Sequence, residues 1–170
     1  MEASSAKSRY LQPSLLTVGE LVGCVAALLF ALSLFLPWYG TSSTNVNNSE
    51  LTTVSGQLVH GGDTISAWQL FPILRWILLA AVIAPFVLSW IVARGHKLEW
   101  NPGEVTMIVG IVAFVLVLCN GVILGKPGDT VDISLQWGYP IALLTSLGMG
   151  VSGFIRQSRY VKGRKPPGTI

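Results

Sequence analysis

Four long apolar runs, separated by short polar segments, dominate the pattern of hydrophobic and polar positions along this chain. They cover residues 15–37, 73–93, 105–124 and 139–155. An α-helix rises about 1.5 Å per residue, so about 20 apolar residues cross a hydrocarbon core of roughly 30 Å. The runs are apolar on every side, whereas a soluble helix keeps a polar face. The pattern therefore predicts an all-α membrane protein with four transmembrane helices in an antiparallel bundle.

Composition supports a membrane protein over a soluble one. Of the 170 residues, 51% are hydrophobic and 11% are charged, whereas soluble domains carry roughly 25% charged residues. A soluble helical protein with an oversized core is the alternative. It would need polar positions at helical spacing within the runs, and the runs do not provide them.

The basic residues predict the orientation of the chain. Nine of the eleven Lys and Arg residues fall on one side of a four-span topology, namely Lys7, Arg9, Arg94, Lys97, Arg156, Arg159, Lys162, Arg164 and Lys165. Because basic residues stay on the cytoplasmic side during insertion, we expect a multi-pass plasma-membrane protein with both termini in the cytoplasm. Residues 1–14 then form a cytoplasmic lead and residues 156–170 a basic cytoplasmic tail. Topology accounts for the net charge of +3, so no nucleic-acid partner is expected, and membrane lipids are the expected contacts of the tail.

The two outer loops, residues 38–72 and 125–138, contain segments of β-type sequence. Residues 51–59 are rich in Thr, Val and Leu, residues 64–66 suit a returning strand, and residues 130–135 alternate apolar and polar positions. We predict that these segments form a small extracytoplasmic β-containing cap on the bundle. An irregular loop is the alternative.

Aromatic residues collect near the predicted membrane boundaries. Amphipathic rings suit the headgroup layer, where one edge is apolar and the other is wet. We therefore predict seven interfacial anchors: Trp38, Tyr39, Trp68, Trp76, Trp90, Trp100 and Trp137.

Small residues recur every four positions in the runs, most regularly in the first. We name the set in the first run the small-residue ridge: Gly19, Gly23, Ala27 and Ala31. Ser146 and Gly150 repeat this spacing in the fourth run. Helices in lipid approach closely through small residues. The two faces are expected to meet and close the bundle; alternatively, the ridge receives another membrane subunit or a second copy of the chain.

Three polar residues in or near the spans are the candidate functional residues, because polar groups in a membrane are costly to bury. Glu20 lies near the cytoplasmic face and suits cation binding, proton acceptance or pairing with a basic residue such as Arg94. Arg75 lies just inside the outer boundary, within reach of headgroups or of a loop acid such as Asp129. Asn120 suits an interhelical hydrogen bond.

Two further features concern helix geometry. Pro85 lies inside the second span, where proline breaks one backbone hydrogen bond and marks either a hinge or a packing feature. Asn101 and Pro102 predict the start of the third helix, with asparagine at the cap and proline at the first position. Cys24 and Cys119 lie at different predicted depths, so no disulfide is expected.

No catalytic constellation, phosphate-binding loop or metal-ligand spacing occurs in the sequence. We therefore expect no enzyme activity, no catalytic residue, no metal and no cofactor. The leading functional prediction is an accessory or scaffolding subunit that acts by association within a larger membrane or envelope complex. The alternative is a component that binds or transports a small ligand, an ion or a lipid, but spans with dry centres supply neither a pore nor a polar path.

Three short motifs resemble those of small four-span bacterial membrane proteins: LPWY at 36–39, SAWQLF at 66–71 and GYPIALL at 138–144, which opens a glycine-rich last span. Proteins of this kind are common in high-GC Gram-positive bacteria and have no assigned activity. The resemblance implies a four-span fold in a bacterial plasma membrane and implies no site residues. The layout is also similar to that of the claudin group, in topology alone, because the first outer loop lacks that group's paired cysteines.

Overall fold

The computed structural model describes residues 16–41, 64–95, 101–124 and 133–162. These ranges are mostly helical and contain one small three-stranded sheet. In chain order the elements are α1 (Val18–Ser33), β1 (Pro37–Thr41), β2 (Thr64–Ser66), α2 (Ala67–Leu70), α3 (Leu74–Ala93), α4 (Pro102–Leu118), a π-helical segment (Cys119–Ile123), β3 (Ile133–Leu135) and α5 (Gly138–Lys162).

Three helices within the described ranges are long and apolar enough to cross a membrane: Leu74–Ala93, Gly103–Ile123 and Gly138–Ser158. Helix α1 is apolar but has 16 residues, a length of about 24 Å, which is less than a hydrocarbon core of roughly 30 Å. The predicted first span is therefore not one continuous helix, because the chain turns after Ser33 and enters β1 at Pro37. Four spans in an antiparallel bundle stay a prediction.

The other predicted spans coincide with helices and differ from them at the ends. Asn101 is the N-cap of α4 and Pro102 is at its start, as predicted. Helix α4 ends in the π-helical segment, where Asn120 leaves helical geometry with φ −84° and ψ 19°. Helix α5 continues to Lys162, so the predicted tail, 156–170, begins as helix. Arg, Gln and Lys are good helix formers, which lets the helix extend beyond its apolar part.

The sheet has the order β2-β1-β3 with both pairs antiparallel. Tyr39 of the central strand is paired with Ile65 on one side and with Leu135 on the other. The expected strands at 64–66 and within 130–135 are present, and the predicted segment at 51–59 lies outside the described residues. The sequence did not predict β1, because its proline and aromatic residues were assigned to the membrane boundary.

Helices α4 and α5 make the closest approach in the fold. A Cβ atom added to Gly110 would lie 2.3 Å from the backbone nitrogen of Gly150, and one added to Gly153 would lie 2.4 Å from the backbone nitrogen of Met107. Real Cβ atoms do not come this close to backbone, so these positions accept only glycine. The two helices therefore pack backbone to backbone, the arrangement that small residues allow in lipid.

The small-residue ridge of α1 faces α5 within the same chain. A Cβ atom on Gly23 would lie 2.9 Å from Ser152 Oγ, one on Gly19 would lie 3.3 Å from Arg156 Cβ, and Ala27 is fully buried. Gly19 and Gly23, in the first half of the ridge, are thus covered by α5.

The outward faces of the helices are apolar. Leu21, Ile83, Val112 and Leu144 each expose half or more of their surface, and they lie on four different helices. A soluble protein rarely exposes apolar surface this extensively, whereas lipid solvates it without cost. This distribution agrees with a membrane environment around the helices.

Candidate functional site

A buried ion pair joins the beginning of α1 to the far end of α5. Arg156 Nη2 lies 2.6 Å from Glu20 Oε1, and the two side chains are 14% and 2% exposed. The contact is ionic, since its geometry is not that of a hydrogen bond. Burial of two charges is tolerated in proteins when they are paired in this way.

The start of α1 positions the carboxylate. Thr17 is the N-cap, and its backbone N–H donates to Glu20 Oε2. A carboxylate in the first turn also interacts favourably with the positive end of the helix dipole. Arg94, which the sequence suggested as a partner, instead stacks on Trp90 with its guanidinium carbon 4.1 Å from the ring centroid. The partner of Glu20 is therefore Arg156.

A small polar cavity adjoins this ion pair. Its volume is about 10 Å³, and its lining comes from α1, α3, α4 and α5: Gly19, Glu20, Gly23, Pro85, Ser89, Thr106, Ser152, Gly153 and Arg156. We call the following five residues the polar cluster: Glu20, Ser89, Thr106, Ser152 and Arg156. A cavity of this size holds about one water molecule, provided that two or more polar groups bind it.

Neighbouring contacts tie the polar cluster to α3. Cys24 Sγ lies 3.3 Å from Ser89 Oγ and 3.8 Å from the carbonyl oxygen of Pro85. Pro85 is buried within α3 and lines the cavity. Ser152 Oγ donates to the carbonyl of Met149 at 2.7 Å. Both cysteines are free, as expected, and the described residues contain no group of three or more His, Cys, Asp or Glu side chains that could hold a metal.

A second cluster, the aromatic layer, comprises Trp38 and Tyr39 of the central strand together with Phe71 and Tyr139. Trp38 and Tyr39 are fully buried, and the Trp38 ring meets the Tyr139 ring edge-on with centroids 5.6 Å apart. Trp38 Nε1 donates to the carbonyl of Ser33 at 2.8 Å. Trp38 and Tyr39 were predicted as interfacial anchors, but both lack exposed surface with which to contact headgroups.

Tyrosine hydroxyls of the aromatic layer bind the carbonyls around the π-helical segment. Tyr39 donates to the carbonyl of Asn120, and Tyr139 donates to that of Val117 at 3.1 Å. These bonds satisfy carbonyls near the point where α-helical geometry is lost. A Cβ atom on Gly121 would lie 2.4 Å from the Tyr139 ring, so glycine makes this approach feasible.

Asn120 contacts the aromatic layer through its backbone carbonyl, which accepts from Tyr39. The Asn120 side-chain amide donates to the carbonyl of Leu116 in its own helix at 2.8 Å. The hydrogen bond between Asn120 and another element therefore uses its backbone carbonyl, whereas the sequence suggested its side-chain amide. Burial raises the pKa of the Tyr39 phenol above its ordinary value, and the neighbouring Tyr139 raises it further.

Arg75 occupies a cage of two tryptophans at the beginning of α3. Its guanidinium carbon lies 5.3 Å from the Trp68 ring and 5.6 Å from the Trp76 ring. Its Nη1 donates to the carbonyl of Trp68 at 3.1 Å, whereas its buried Nε has no hydrogen-bond partner. The predicted acidic partner, Asp129, lies outside the described residues.

The remaining predicted residues occupy separate places. Ser146 is fully buried and donates to the carbonyl of Ala142. Trp76, Trp90 and Trp137 are 56%, 50% and 80% exposed, so they have surface for a headgroup layer. Trp100 lies outside the described residues.

Sequence reasoning missed Arg156 as the partner of Glu20 and Ser152 as a second residue of the cavity lining. Ser152 and Arg156 are four residues apart on α5, and they continue the spacing of Gly148 and Ser152. This four-residue spacing was the available signal, because residues four apart share a helix face.

Comparison of the chain with protein-family models, with curated proteins and with solved structures gave no match.

Proposed function

We propose that this chain is a non-enzymatic integral protein of the plasma membrane that acts by association. In this proposal it crosses the membrane several times with both termini in the cytoplasm. It serves as an accessory or scaffolding subunit of a larger membrane or envelope complex. The partner is another membrane protein subunit or a second copy of the chain.

The observation that carries this proposal is an open hollow at the edge of the aromatic layer. Its volume is about 390 Å³, and Trp137, at its rim, is 80% exposed. The hollow is lined by Leu135, Gln136, Trp137, Tyr139, Pro140 and Leu143. Exposed tryptophan beside a concave apolar surface is the composition that concentrates binding energy at protein interfaces.

Hydrogen bonds to neighbouring elements hold two of the residues that line the hollow in place, which favours association further. The backbone N–H of Gln136 donates to the carbonyl of Trp38 at 2.8 Å, and the Tyr139 hydroxyl bonds to α4. A preformed surface loses little conformational entropy when it binds. A lipid anchor alone needs an amphipathic ring and no such support.

The test is purification of the full chain in mild detergent, followed by mass spectrometry of the intact complex. We expect a stoichiometric partner or a homo-oligomer that Trp137→Ala releases. Trp90→Ala is the matched control, because Trp90 is also an exposed tryptophan but does not line the hollow. A lone monomer, or equal loss of the partner in both variants, contradicts the proposal.

The polar cluster favours a second candidate, binding of a small ligand or an ion. It brings a carboxylate and three hydroxyl side chains to one cavity. The cavity admits only a water-sized species, and Arg156 already neutralises Glu20, so a cation gains little there. Isothermal titration of the full chain with Na⁺, Li⁺ and K⁺ tests this candidate; binding lost in Glu20→Gln supports it, and no heat in any titration removes it.

A further inference from the structure

One oxygen of the Glu20 carboxylate is buried and accepts no hydrogen bond from the described part of the chain. Its Oε2 accepts from the backbone N–H of Thr17, whereas Oε1 has only the ionic contact with Arg156 Nη2. An ionised carboxylate offers about four acceptor positions, and buried polar atoms almost always have a hydrogen-bond partner in the protein or in ordered water. Glu20 Oε1 therefore calls for a donor that the neighbouring side chains do not supply.

The small polar cavity beside the ion pair has room for such a donor. Its volume of about 10 Å³ is close to that of a single water-sized sphere, which is the least space that a buried water molecule needs. Apolar cavities stay dry, whereas water occupies a site that offers two to four polar partners. This cavity is lined by the whole polar cluster, so its chemistry suits water and its size excludes an organic ligand.

Hydroxyl side chains of two other helices supply the further partners. Ser152 Oγ uses its hydrogen on the carbonyl of Met149 at 2.7 Å, and a hydroxyl oxygen has two lone pairs with which to accept. Ser89 Oγ lies 3.3 Å from Cys24 Sγ, and a thiol is a weak partner in either direction. The Ser89 hydroxyl can therefore donate to a stronger acceptor in the cavity.

We propose that the polar cavity binds one water molecule, which donates to Glu20 Oε1 and to Ser152 Oγ and accepts from the Ser89 hydroxyl. The water links α1, α3 and α5 at one point and gives the buried carboxylate the hydrogen bond that Arg156 does not provide. A neutral ligand fits here better than a cation, because a cation would place a second positive charge beside the Arg156 guanidinium. The site is independent of the association proposed above, because the Trp137 hollow has a different lining.

The test is nuclear magnetic resonance of the full chain in detergent micelles, with the threonine methyl groups labelled with ¹³C. Thr106 lines the cavity, and its methyl carbon lies 3.7 Å from the place where a Cβ of Gly23 would be. We expect a nuclear Overhauser cross-peak between water and this methyl group, with the sign of a water molecule that tumbles with the protein. Thr145 is the internal control, because its hydroxyl donates to the carbonyl of Ile141 and it does not line the cavity. A cross-peak relayed through a threonine's own exchanging hydroxyl would appear equally at both residues, which would overturn the proposal.

Three variants test the position of the water. Gly23→Ala adds a methyl group 2.9 Å from Ser152 Oγ, so it fills the cavity and should remove the cross-peak at Thr106. Ser152→Ala leaves room for the water but removes one acceptor, so it should weaken the cross-peak even if Gly23→Ala does not fold. Gly148→Ala is the matched control, because it adds a methyl group to α5 outside the cavity, and it should leave the cross-peak unchanged.

The salt in the buffer separates water from a cation as the occupant. Replacement of choline chloride by sodium chloride should leave the cross-peak at Thr106 unchanged. A cross-peak that disappears in sodium chloride would identify a cation as the ligand and overturn the proposal. The proposal is also overturned if Thr106 shows no cross-peak in the unmodified chain, or if the cross-peak keeps its full intensity in Ser152→Ala or in folded Gly23→Ala.

Discussion

Arg156 Nη2 lies 2.6 Å from Glu20 Oε1, and this one contact ties the first turn of α1 to a late turn of α5. The two residues are far apart in the chain, so the pair fixes the register of one helix against the other. An ion pair in a low-dielectric interior contributes modestly when intact, but loss of one partner leaves an uncompensated charge. The pair therefore constrains the fold more through the cost of breaking it than through its own strength.

Removal of either partner should destabilise the protein. Arg156→Gln leaves a carboxylate with almost no exposure, so we expect a loss of about 3 kcal/mol in the free energy of unfolding. Glu20→Gln should cost less, because the amide still accepts the Thr17 N–H and the Arg156 side chain can extend toward water. Unfolding of the full chain in mixed micelles, followed by circular dichroism, measures both losses.

The double variant measures how strongly Glu20 and Arg156 stabilise each other. If the two residues stabilise each other, the loss in Glu20→Gln/Arg156→Gln should be well below the sum of the single losses. Glu104→Gln is the control, because Glu104 also occupies the first turn of a helix but is exposed. Additive losses, or an equal effect at Glu104, would contradict a coupled pair.

The α4–α5 contact should not tolerate a single methyl group. Gly110→Ala would place Cβ 2.3 Å from backbone of Gly150, so the helices must separate. We expect a loss of at least about 2 kcal/mol in unfolding free energy, at the upper range of overpacking effects because backbone cannot move aside. Unfolding in mixed micelles measures this loss.

Gly148→Ala is the matched control for this contact. It lies on the same helix, α5, as Gly150, but its nearest neighbour, Ala26 Cβ, would be 3.6 Å from the added atom. Alanine is also the better helix former, so this variant should be neutral or more stable. Similar losses in Gly110→Ala and Gly148→Ala would show that helix separation is not the cause.

The pattern of apolar runs predicted the helices well, because solvation by lipid acts on every residue of a span. The four-residue spacing of the small-residue ridge defined a helix face but left open whether this face meets the fourth span or a partner. The apolar runs did not predict that α1 stops at Ser33. Residues 34–36 are as apolar as the helix before them, and the chain that follows, from Pro37, pairs with two strands from distant loops.

Of the candidate sites, the sequence predicted some residues but not their partners or their burial. Glu20 stood out because a carboxylate in an apolar run is costly, but its partner depended on the rotation of α5, which sequence spacing alone does not fix. Arg156 was assigned to topology as one of many basic residues. Trp38 and Tyr39 were assigned to the headgroup layer, because an aromatic residue at a predicted boundary has the same sequence signature whether it faces lipid or the protein interior.

Alkaline pH should destabilise the aromatic layer through Tyr39. Its phenol has a raised pKa in the folded protein, so above the ordinary value of 10.0 the unfolded chain releases a proton that the folded chain retains. Stability that is present below this pH should fall as the pH rises above it. The difference absorbance of tyrosinate and unfolding in mixed micelles, followed across this range, measure the effect.

Tyr39→Phe separates this effect from general alkaline unfolding. The variant loses the hydrogen bond to the carbonyl of Asn120, at a cost of about 1 kcal/mol at neutral pH, and should lose less further stability at alkaline pH than the unmodified chain. Lysine and cysteine deprotonation remain the same in both proteins. An alkaline decline of equal steepness in both would contradict a role for Tyr39.

Membrane topology is the prediction on which the proposed function depends most. The basic residues predict that the sheet lies outside and that the end of α5 lies inside. Two exposed serines can test this prediction: Ser134 in β3 and Ser158 in α5. In a chain lacking Cys24 and Cys119, Ser134→Cys should react with a membrane-impermeant maleimide in intact cells. Ser158→Cys should react only after permeabilisation. If Ser158→Cys reacted in intact cells, α5 would end outside, and an outer hollow at Trp137 would face the cytoplasm instead.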